Sequence, residues 1–280
     1  MEKKKLVITF SGGRTSGYML WWMYNEWPDR DNWDKIAIFT NTGKEAEGTL
    51  FFVDECAAEW GIDIIWLEGY PSEIGKGYSV KHKIVTYETA SRKGEPFEAL
   101  IKKLGIPFSE APFCSRQLKK ETILDYLRHI GWKKHYTAIG IRSDEQNRIS
   151  KTHIKNRIIY PLAQFNPVNK SQIKLWWDKQ SFDLDIHPDD GNCVGCWKKS
   201  FPTLSRIMNR NPDTFIWWQE MIDKYGVSKH EKYTGVKQSF YRGNKSIEDI
   251  RILSKINQAE LKQLDMYNQT DSCTESCESF

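Results

Sequence analysis

Short apolar runs alternate with longer segments of helical spacing along the first 165 residues. The apolar runs occupy residues 6–10, 35–40, 62–67 and 136–141. Runs of this length, bounded by glycine and polar residues, predict β-strands. Apolar positions three and four apart predict helices over residues 49–60 and 119–130. Strands that alternate with helices predict an α/β fold, a Rossmann-like parallel sheet with helices on both faces.

The pattern changes twice further along the chain. Glycines and a basic stretch at residues 76–83 interrupt residues 68–112, which predicts a mobile insertion near the mouth of a site. After residue 162 the strand signal ends, and helical segments rich in Trp and Ile follow a cysteine-bearing loop. We therefore predict a first domain over residues 1–165, a smaller, mainly helical region over 166–268 and a flexible tail over 269–280.

Composition narrows the class of protein. The formal net charge is +4 and twelve residues are tryptophan, which suits a core of aromatic side chains and is also compatible with a nucleic-acid partner. Neither a stretch of about 20 apolar residues nor a signal peptide is present, so we expect a cytoplasmic protein without membrane contact. In a reducing compartment, six cysteines indicate metal, cluster or redox-active thiols rather than disulfides.

The first predicted strand ends in a glycine turn that opens a helix. The turn consists of Ser11, Gly12, Gly13, Arg14, Thr15 and Ser16. Adjacent glycines let backbone N–H groups approach an anion, hydroxyls add donors, and the helix dipole favours negative charge. These features predict a phosphate-binding loop, with a purely structural turn as the alternative.

Two further strands carry polar residues to the same edge of the predicted sheet. These residues are Asn41, Thr42 and Gly43 after the second strand, and Arg142, Asp144, Glu145 and Arg148 after the fourth. Arginine side chains hold phosphate or sulfate oxygens, and carboxylates orient arginines or bind Mg²⁺. A plain turn and a surface salt-bridge cluster are the respective alternatives.

Three cysteines lie in sequence contexts that are typical of reactive or metal-binding thiols. Cys114 precedes basic residues at a predicted helix start, where the helix and the cations favour a thiolate that acts as nucleophile or ligand. Cys193 and Cys196 form a C-x-x-C pair, which is typical of a metal site, a cluster or a dithiol. A single such pair argues against a four-cysteine zinc ribbon. Cys114 is the natural third ligand, and His187, Cys56 or a tail cysteine is a candidate for the fourth.

Together these segments resemble the phosphoadenosine phosphosulfate (PAPS) reductase family of the PP-loop superfamily of adenine-nucleotide enzymes. Residues 11–16 are similar to the family's S-G-G-x-x-S loop, and residues 41–43 stand where D-T-G is usual. Residues 140–148 are similar to G-x-R-x-D-E-x-x-R, and residues 160–162 to a following P-L motif. The resemblance implies that the first domain binds ATP or an adenylyl sulfate through these segments.

The cysteines are similar to those of the family's iron-sulfur branch, with Ser115 in the place of the second cysteine of a pair. This resemblance implies a 4Fe-4S cluster held by Cys114, Cys193 and Cys196, with a structural zinc site as the alternative. The tail lacks the E-C-G-x-H setting of the assimilatory reductases and carries Cys273 and Cys277 instead.

Thr15 replaces the aspartate that is common in ATP pyrophosphatases. This replacement argues against cleavage of Mg²⁺-ATP. The resemblance implies catalytic roles for Cys114, Arg142, Cys273 and Cys277. The predicted activity is ATP-dependent sulfur transfer or reduction of an adenylyl sulfate. The expected partners are the nucleotide, a nucleic-acid acceptor or a sulfur-donor protein, and a second copy of the chain in a homodimer. The alternative is a nucleic-acid-binding or nucleotide-binding protein with a structural metal site and no sulfur chemistry.

Overall fold

The computed structural model describes residues 3–74, 77–108, 112–227, 239–241, 243, 245–256 and 259–260. Its strands are β1 (Lys4–Phe10), β2 (Trp33–Asn41), β3 (Ile64–Ile74), β4 (Gly77–Val85), β5 (Tyr136–Ala138) and β6 (Ile158–Ile159). They form a six-stranded sheet in the order β4-β3-β2-β1-β5-β6. Neighbouring strands are parallel except for the antiparallel pair β3 and β4.

Helices surround this sheet and make up most of the region that follows it. They are α1 (Arg14–Asn25), α2 (Glu47–Trp60), α3 (Glu95–Leu104), α4 (Thr122–His129), α5 (Pro161–Gln164), α6 (Lys170–Trp177), α7 (Phe201–Arg210), α8 (Ile216–Tyr225) and α9 (Ile247–Leu253). A π-helical segment, Ser115–Glu121, leads directly into α4. No helix in the described ranges has both the length and the apolar character needed to cross a bilayer. The predicted α/β class and the helical C-terminal region are confirmed.

The central strand is buried on both faces, which explains its almost continuous apolar sequence. Ile8 belongs to the largest hydrophobic cluster, which contains residues of α1 and α2. Val7 points to the other face and packs in a cluster with Ile123 and Leu127 of α4. Since successive side chains of a strand face opposite sides, helices must cover both faces of the sheet.

Residues beyond position 165 pack in two different places. Ile173 and Trp177 of α6 join the largest cluster, where the Trp177 ring lies 5.0 Å from that of Phe52. The later helices α7, α8 and α9 form a second cluster, which also takes in Phe97 and Leu100 of α3. The domain boundaries at 165 and 268 remain predictions.

The predicted mobile insertion over residues 68–112 is wrong, because its described part forms regular structure. Strand β3 continues to Ile74 and pairs with β4, so that Trp66 lies opposite Val85, and α3 follows the hairpin. As an edge strand, β4 buries Val80 and Val85 but exposes Lys81 and Lys83. Charged side chains are common on sheet edges, and they weaken the apolar signal that predicts a strand.

The carboxylate of Asp125 in α4 binds the β3–β4 hairpin and makes the stability of the fold depend on pH. Asp125 accepts hydrogen bonds from Lys81 Nζ at 3.0 Å, from the His82 backbone N at 3.0 Å and from His82 Nδ1 at 2.7 Å. Burial raises the pKa of Asp125, but these donors outweigh it and lower the pKa from 3.8 to about 2. Because folding lowers this pKa, the ionised carboxylate stabilises the native state above about pH 4, and this stabilisation disappears as the pH falls toward about 2.

We therefore expect Asp125→Asn to lower the free energy of unfolding near neutral pH. The difference between wild type and variant should shrink as the pH falls through the interval between the two pKa values, and urea unfolding at a series of pH values measures it. A difference that stays constant through that interval would contradict the role given to the ionised carboxylate.

Candidate active site

The glycine turn between β1 and α1 is organised by Ser16. The Ser16 hydroxyl donates to the Gly13 carbonyl oxygen at 3.0 Å and accepts from the Ser11 backbone N at 3.2 Å. The hydroxyl oxygens of Ser11 and Ser16 lie 2.9 Å apart. Gly13 is the N-cap of α1 and supplies no side-chain acceptor to the first N–H groups of that helix. Those N–H groups and the helix dipole favour an anion at this position.

The turn packs closely against α2, and this contact requires glycine at position 12. Gly12 has φ +79°, and a Cβ atom there would lie 2.5 Å from Thr49 Cγ2. At Gly13, with φ −109°, a Cβ would lie no closer than 3.5 Å to its nearest neighbour, Asn192 Oδ1. The path of the loop therefore depends on Gly12 far more than on Gly13.

The segment after β5 brings Arg142 to this turn. A Cβ on Gly140 would lie 3.3 Å from Ser16 Cα, so the two backbones run close together. Arg142 Nη1 lies 3.4 Å from Thr15 Oγ1. Asp144 accepts from Arg142 Nε at 2.9 Å, and this hydrogen bond is the largest of the effects that lower the Asp144 pKa. The Asp144 carboxylate thus holds the guanidinium beside the loop.

Two residues of the predicted arginine cluster form a second pair behind Arg142. Glu145 accepts from the Arg142 backbone N at 3.2 Å and from Arg148 Nη1 at 2.5 Å. The side chains of Glu145 and Arg148 are only 11% and 18% exposed. The structure therefore brings Arg142, Asp144, Glu145 and Arg148 together, with both carboxylates bound to arginine.

Arg14 differs from the other predicted phosphate contacts. Its Nε and Nη2 atoms donate to the two carboxylate oxygens of Asp183 at 2.6 and 2.9 Å. Nη2 also donates to the Leu184 carbonyl oxygen at 2.7 Å. The side chain of Arg14 thereby ties the start of α1 to residues 183–184, a partner that sequence reasoning missed.

The residues after β2 bind one another and the neighbouring strand. Asn41 Nδ2 donates to Glu68 Oε1 at 2.7 Å, and Asn41 Oδ1 accepts from the Gly43 backbone N at 3.0 Å. The Glu45 carboxylate accepts from the Thr42 backbone N at 2.8 Å and from the Thr42 hydroxyl. Burial raises the pKa of Glu45, and the nearby Lys119 ammonium opposes that shift. These contacts fix the shape of the sheet edge beside the glycine turn.

The cysteine loop, residues 192–196, is attached to both of these segments. Asn192 Nδ2 donates to the Ser11 carbonyl oxygen at 2.7 Å, and the Asn192 carbonyl oxygen accepts from the Ala46 backbone N at 3.1 Å. The Val194 backbone N donates to the Lys44 carbonyl oxygen at 2.8 Å. Sequence reasoning missed Asn192, for which adjacency to Cys193 is the single local signal.

Aromatic side chains enclose the same loop from the C-terminal region. Trp218 Nε1 donates to the Val194 carbonyl oxygen at 3.0 Å, and the Tyr241 hydroxyl lies 3.4 Å from the Gly195 carbonyl oxygen. Burial raises the pKa of Tyr241, and the charges of Cys196 and Cys193 add to that shift. Burial lowers the pKa of Lys44, whereas its interaction with Cys193 raises it. Both thiols therefore lie in a partly buried setting with a phenol and an ammonium nearby.

The predicted metal ligands do not assemble into a metal site within the part of the chain that the structure describes. Cys114 and Cys193 pack against the same hydrophobic cluster, and the side chains of Cys114, Cys193 and Cys196 are half-buried. Among the described residues, however, no group of three or more His, Cys, Asp or Glu side chains is placed to hold a metal ion. The predicted three-cysteine site for a cluster or for zinc therefore stays a prediction. Cys273 and Cys277 lie outside the described residues.

The fold and the site define an α/β protein with a glycine turn that opens a helix at the carboxyl edge of parallel strands and a cysteine loop attached to that turn. The chain is 34% identical over 282 residues to the uncharacterized nin region protein ORF290 of Escherichia phage lambda. The alignment covers 98% of this chain and 94% of the phage protein. The chain therefore belongs to the family of this phage lambda protein.

Two uncharacterized proteins of Methanocaldococcus jannaschii are more distant relatives. They are 24% and 23% identical over 86% and 89% of this chain, which spans 46% and 54% of their lengths. The chain thus spans about half of each archaeal relative. No family model matches the chain.

Two solved structures are similar to the chain at 16% identity. One is a PAPS reductase from Candida auris in a phosphate complex, with a TM-score of 0.39 over 64% of this chain and 74% of that one. The other is the U34-tRNA thiolase NcsA from Methanococcus maripaludis with its 4Fe-4S cluster, with a TM-score of 0.40 over 82% and 75%.

Proposed function

We propose that this protein binds an adenine nucleotide at the Ser11–Ser16 turn and is an enzyme of sulfur chemistry that acts through the cysteine loop. The observation that carries the proposal is the double attachment of that loop, through Asn192 to Ser11 and through Val194 to Lys44. A pair of thiols is thereby held next to an anion-binding turn. The resemblance of residues 11–16, 41–43 and 140–148 to PAPS-reductase motifs supports the same activity.

The hydrogen-bond donors at the turn support the proposal that it binds a nucleotide. The backbone N–H groups at the start of α1 and the Ser11 and Ser16 hydroxyls supply neutral donors. The Arg142 guanidinium, held by Asp144 within 3.4 Å of Thr15 Oγ1, supplies the positive charge. Arginine binds phosphate and sulfate oxygens through two parallel N–H groups, so Arg142 suits the anionic end of the nucleotide.

Two reactions use such an arrangement of nucleotide and thiols. In sulfur transfer, an acceptor oxygen attacks the α-phosphorus of ATP, pyrophosphate leaves, and a sulfur nucleophile then displaces AMP from the acceptor. In reduction, a thiolate attacks the sulfur of an adenylyl sulfate and AMP leaves. A second thiolate then attacks the S-sulfonated cysteine, so that sulfite leaves and the two cysteines are oxidised to a disulfide. Cys193 and Cys196 are spaced to supply both thiols of the second reaction.

Arg142 and Arg14 form a matched pair for testing the nucleotide site. We expect Arg142→Ala to raise the Kd for ATP or adenosine 5′-phosphosulfate by about 10- to 100-fold, because charge-assisted hydrogen bonds contribute about 1.5–3 kcal/mol. Arg14→Ala removes the same charge nearby, but the Arg14 guanidinium hydrogen-bonds Asp183 and Leu184, whereas Arg142 also reaches Thr15 of the turn, so for Arg14→Ala we expect a change in Kd of less than about threefold. Isothermal titration calorimetry with both nucleotides measures these constants and identifies the preferred nucleotide.

Two results of the same titrations would contradict the proposal. If the wild-type protein binds neither nucleotide, the assignment of the Ser11–Ser16 turn fails. If the two arginine variants lose equal affinity, the guanidinium of Arg142 is not the phosphate contact. Formation of AMP and pyrophosphate from ATP, or of AMP and sulfite from adenosine 5′-phosphosulfate, separates the two reactions.

A further inference from the structure

A strongly basic groove lies at the edge of the sheet opposite to the candidate active site. Its volume is about 520 Å³, and its cationic lining consists of Lys3, Lys4, Lys5, Lys133, Lys134 and Arg157. His135 and Tyr136 also line it, and no carboxylate does. We call these residues the basic groove.

Topology explains why these cations meet. Strands β1, β5 and β6 are adjacent and parallel, with Leu6 opposite Tyr136 and Thr137 opposite Ile158. Their amino ends therefore share one edge, to which the turn after α4 adds two lysines. Strand β1 spans seven residues, so at about 3.3 Å per residue roughly 20 Å separate the basic groove from the Ser11–Ser16 turn. A nucleotide bound at the turn does not reach across that distance.

Positive charge is in large excess at the basic groove. Within the ranges that the structure describes, none of its six cations forms an ion pair with Asp or Glu. Lys4 Nζ and Lys5 Nζ lie 5.5 and 5.2 Å from the ring centroids of Trp33 and Trp132. By contrast, in the basic stretch over residues 76–83, Lys81 is paired with Asp125.

The backbone conformation of Arg157 is a second, independent feature that indicates a binding site at this edge. Arg157 has φ +53° and is the only non-glycine residue with positive φ in the described part of the chain. Its carbonyl oxygen accepts from the Thr137 backbone N at 2.9 Å, and its N donates to the Ile154 carbonyl oxygen at 3.1 Å. L residues rarely adopt this conformation, and such residues concentrate at binding sites. Here the rare conformation belongs to an exposed arginine of the basic groove.

We propose that the basic groove binds the phosphodiester backbone of a nucleic acid, independently of the nucleotide site. Six cations from three chain segments are more than one phosphate group needs, so a polymer of phosphates fits better than a small anion. Lysine is a point charge that contacts phosphates without selecting a base, and five of the six cations are lysines. The proposal does not rest on sulfur chemistry at the other edge.

Fluorescence anisotropy of the full chain with labelled single-stranded RNA, single-stranded DNA and duplex DNA tests the proposal. Each phosphate contact contributes close to one unit to the slope of log K against log salt. We therefore expect the triple variant Lys133→Gln/Lys134→Gln/Arg157→Gln to bind at least about 30-fold more weakly at about 0.1 M salt and to lose about two to three units of that slope. The control variant Lys174→Gln/Lys179→Gln/Lys224→Gln removes the same charge from exposed positions elsewhere, and we expect a loss of less than about threefold.

The outcomes separate the proposal from its rivals. Preference among the three probes identifies the natural nucleic acid. Equal losses in the two triple variants would indicate that net charge alone drives binding and would overturn the proposal. So would the absence of binding to all three probes, or binding of the wild type to phosphatidylglycerol vesicles in place of nucleic acid. An unchanged Kd for ATP or adenosine 5′-phosphosulfate in the groove variant shows that the fold and the other site are intact.

Discussion

The Gly12→Ala substitution will weaken nucleotide binding by at least about 100-fold and lower the free energy of unfolding by about 2–5 kcal/mol. The added Cβ would lie 2.5 Å from Thr49 Cγ2, at a residue whose φ of +79° is unfavourable for alanine. A left-handed backbone costs about 1–2 kcal/mol, and overpacking adds about 1–3 kcal/mol. The loop must move away from α2 to relieve the contact, and its N–H groups then no longer converge on a phosphate. Calorimetric titration and urea unfolding measure the two effects.

Two companion variants show whether this contact is the cause. Gly13→Ala introduces the same methyl group where the nearest atom is 3.5 Å away and φ is −109°, so we expect less than about 1 kcal/mol of destabilisation. Gly12→Ala/Thr49→Ser removes the clashing Cγ2 methyl and should recover part of the lost stability and affinity. Equal effects at positions 12 and 13 would show that the contact with α2 does not shape the loop.

The Cys193→Ser substitution will reduce turnover by at least about 1,000-fold while leaving the Kd for the nucleotide within about threefold. Loss of an attacking nucleophile commonly abolishes activity to this extent, because a serine hydroxyl is a far weaker nucleophile than a thiolate. Nucleotide affinity should persist, because Asn192 and Val194 rather than the Cys193 side chain attach the cysteine loop to the sheet. Rates of AMP formation from ATP with an acceptor and from adenosine 5′-phosphosulfate give the turnover.

Cys56 provides the matched control. It is fully buried in the largest cluster, and burial raises its pKa, so it stays a neutral thiol in the core. Cys56→Ala should retain turnover at a small cost in stability. If Cys193→Ser keeps full activity with both nucleotides, the proposed sulfur chemistry does not use this thiol.

The local sequence was sufficient to predict most strands of the sheet. Residues 6–10 and 35–40 lie within parallel strands where predicted, because both faces of these strands are buried and their apolar runs are nearly continuous. Strand β4 was missed because it is an edge strand that exposes Lys81 and Lys83. An edge strand needs few buried side chains, so periodicity alone does not distinguish it from a loop.

Periodicity and motif spacing by themselves determined the class of fold, the position of the glycine turn and the arrival of Arg142 at the same edge. These properties follow from the order of strands and helices, since parallel strands carry their carboxyl ends to one side. Tertiary structure alone decided which side chains are available there. It paired Arg14 with Asp183 and attached Asn192 to Ser11. Such contacts join residues 169 and 181 positions apart, and they depend on how helices and loops pack rather than on any local pattern.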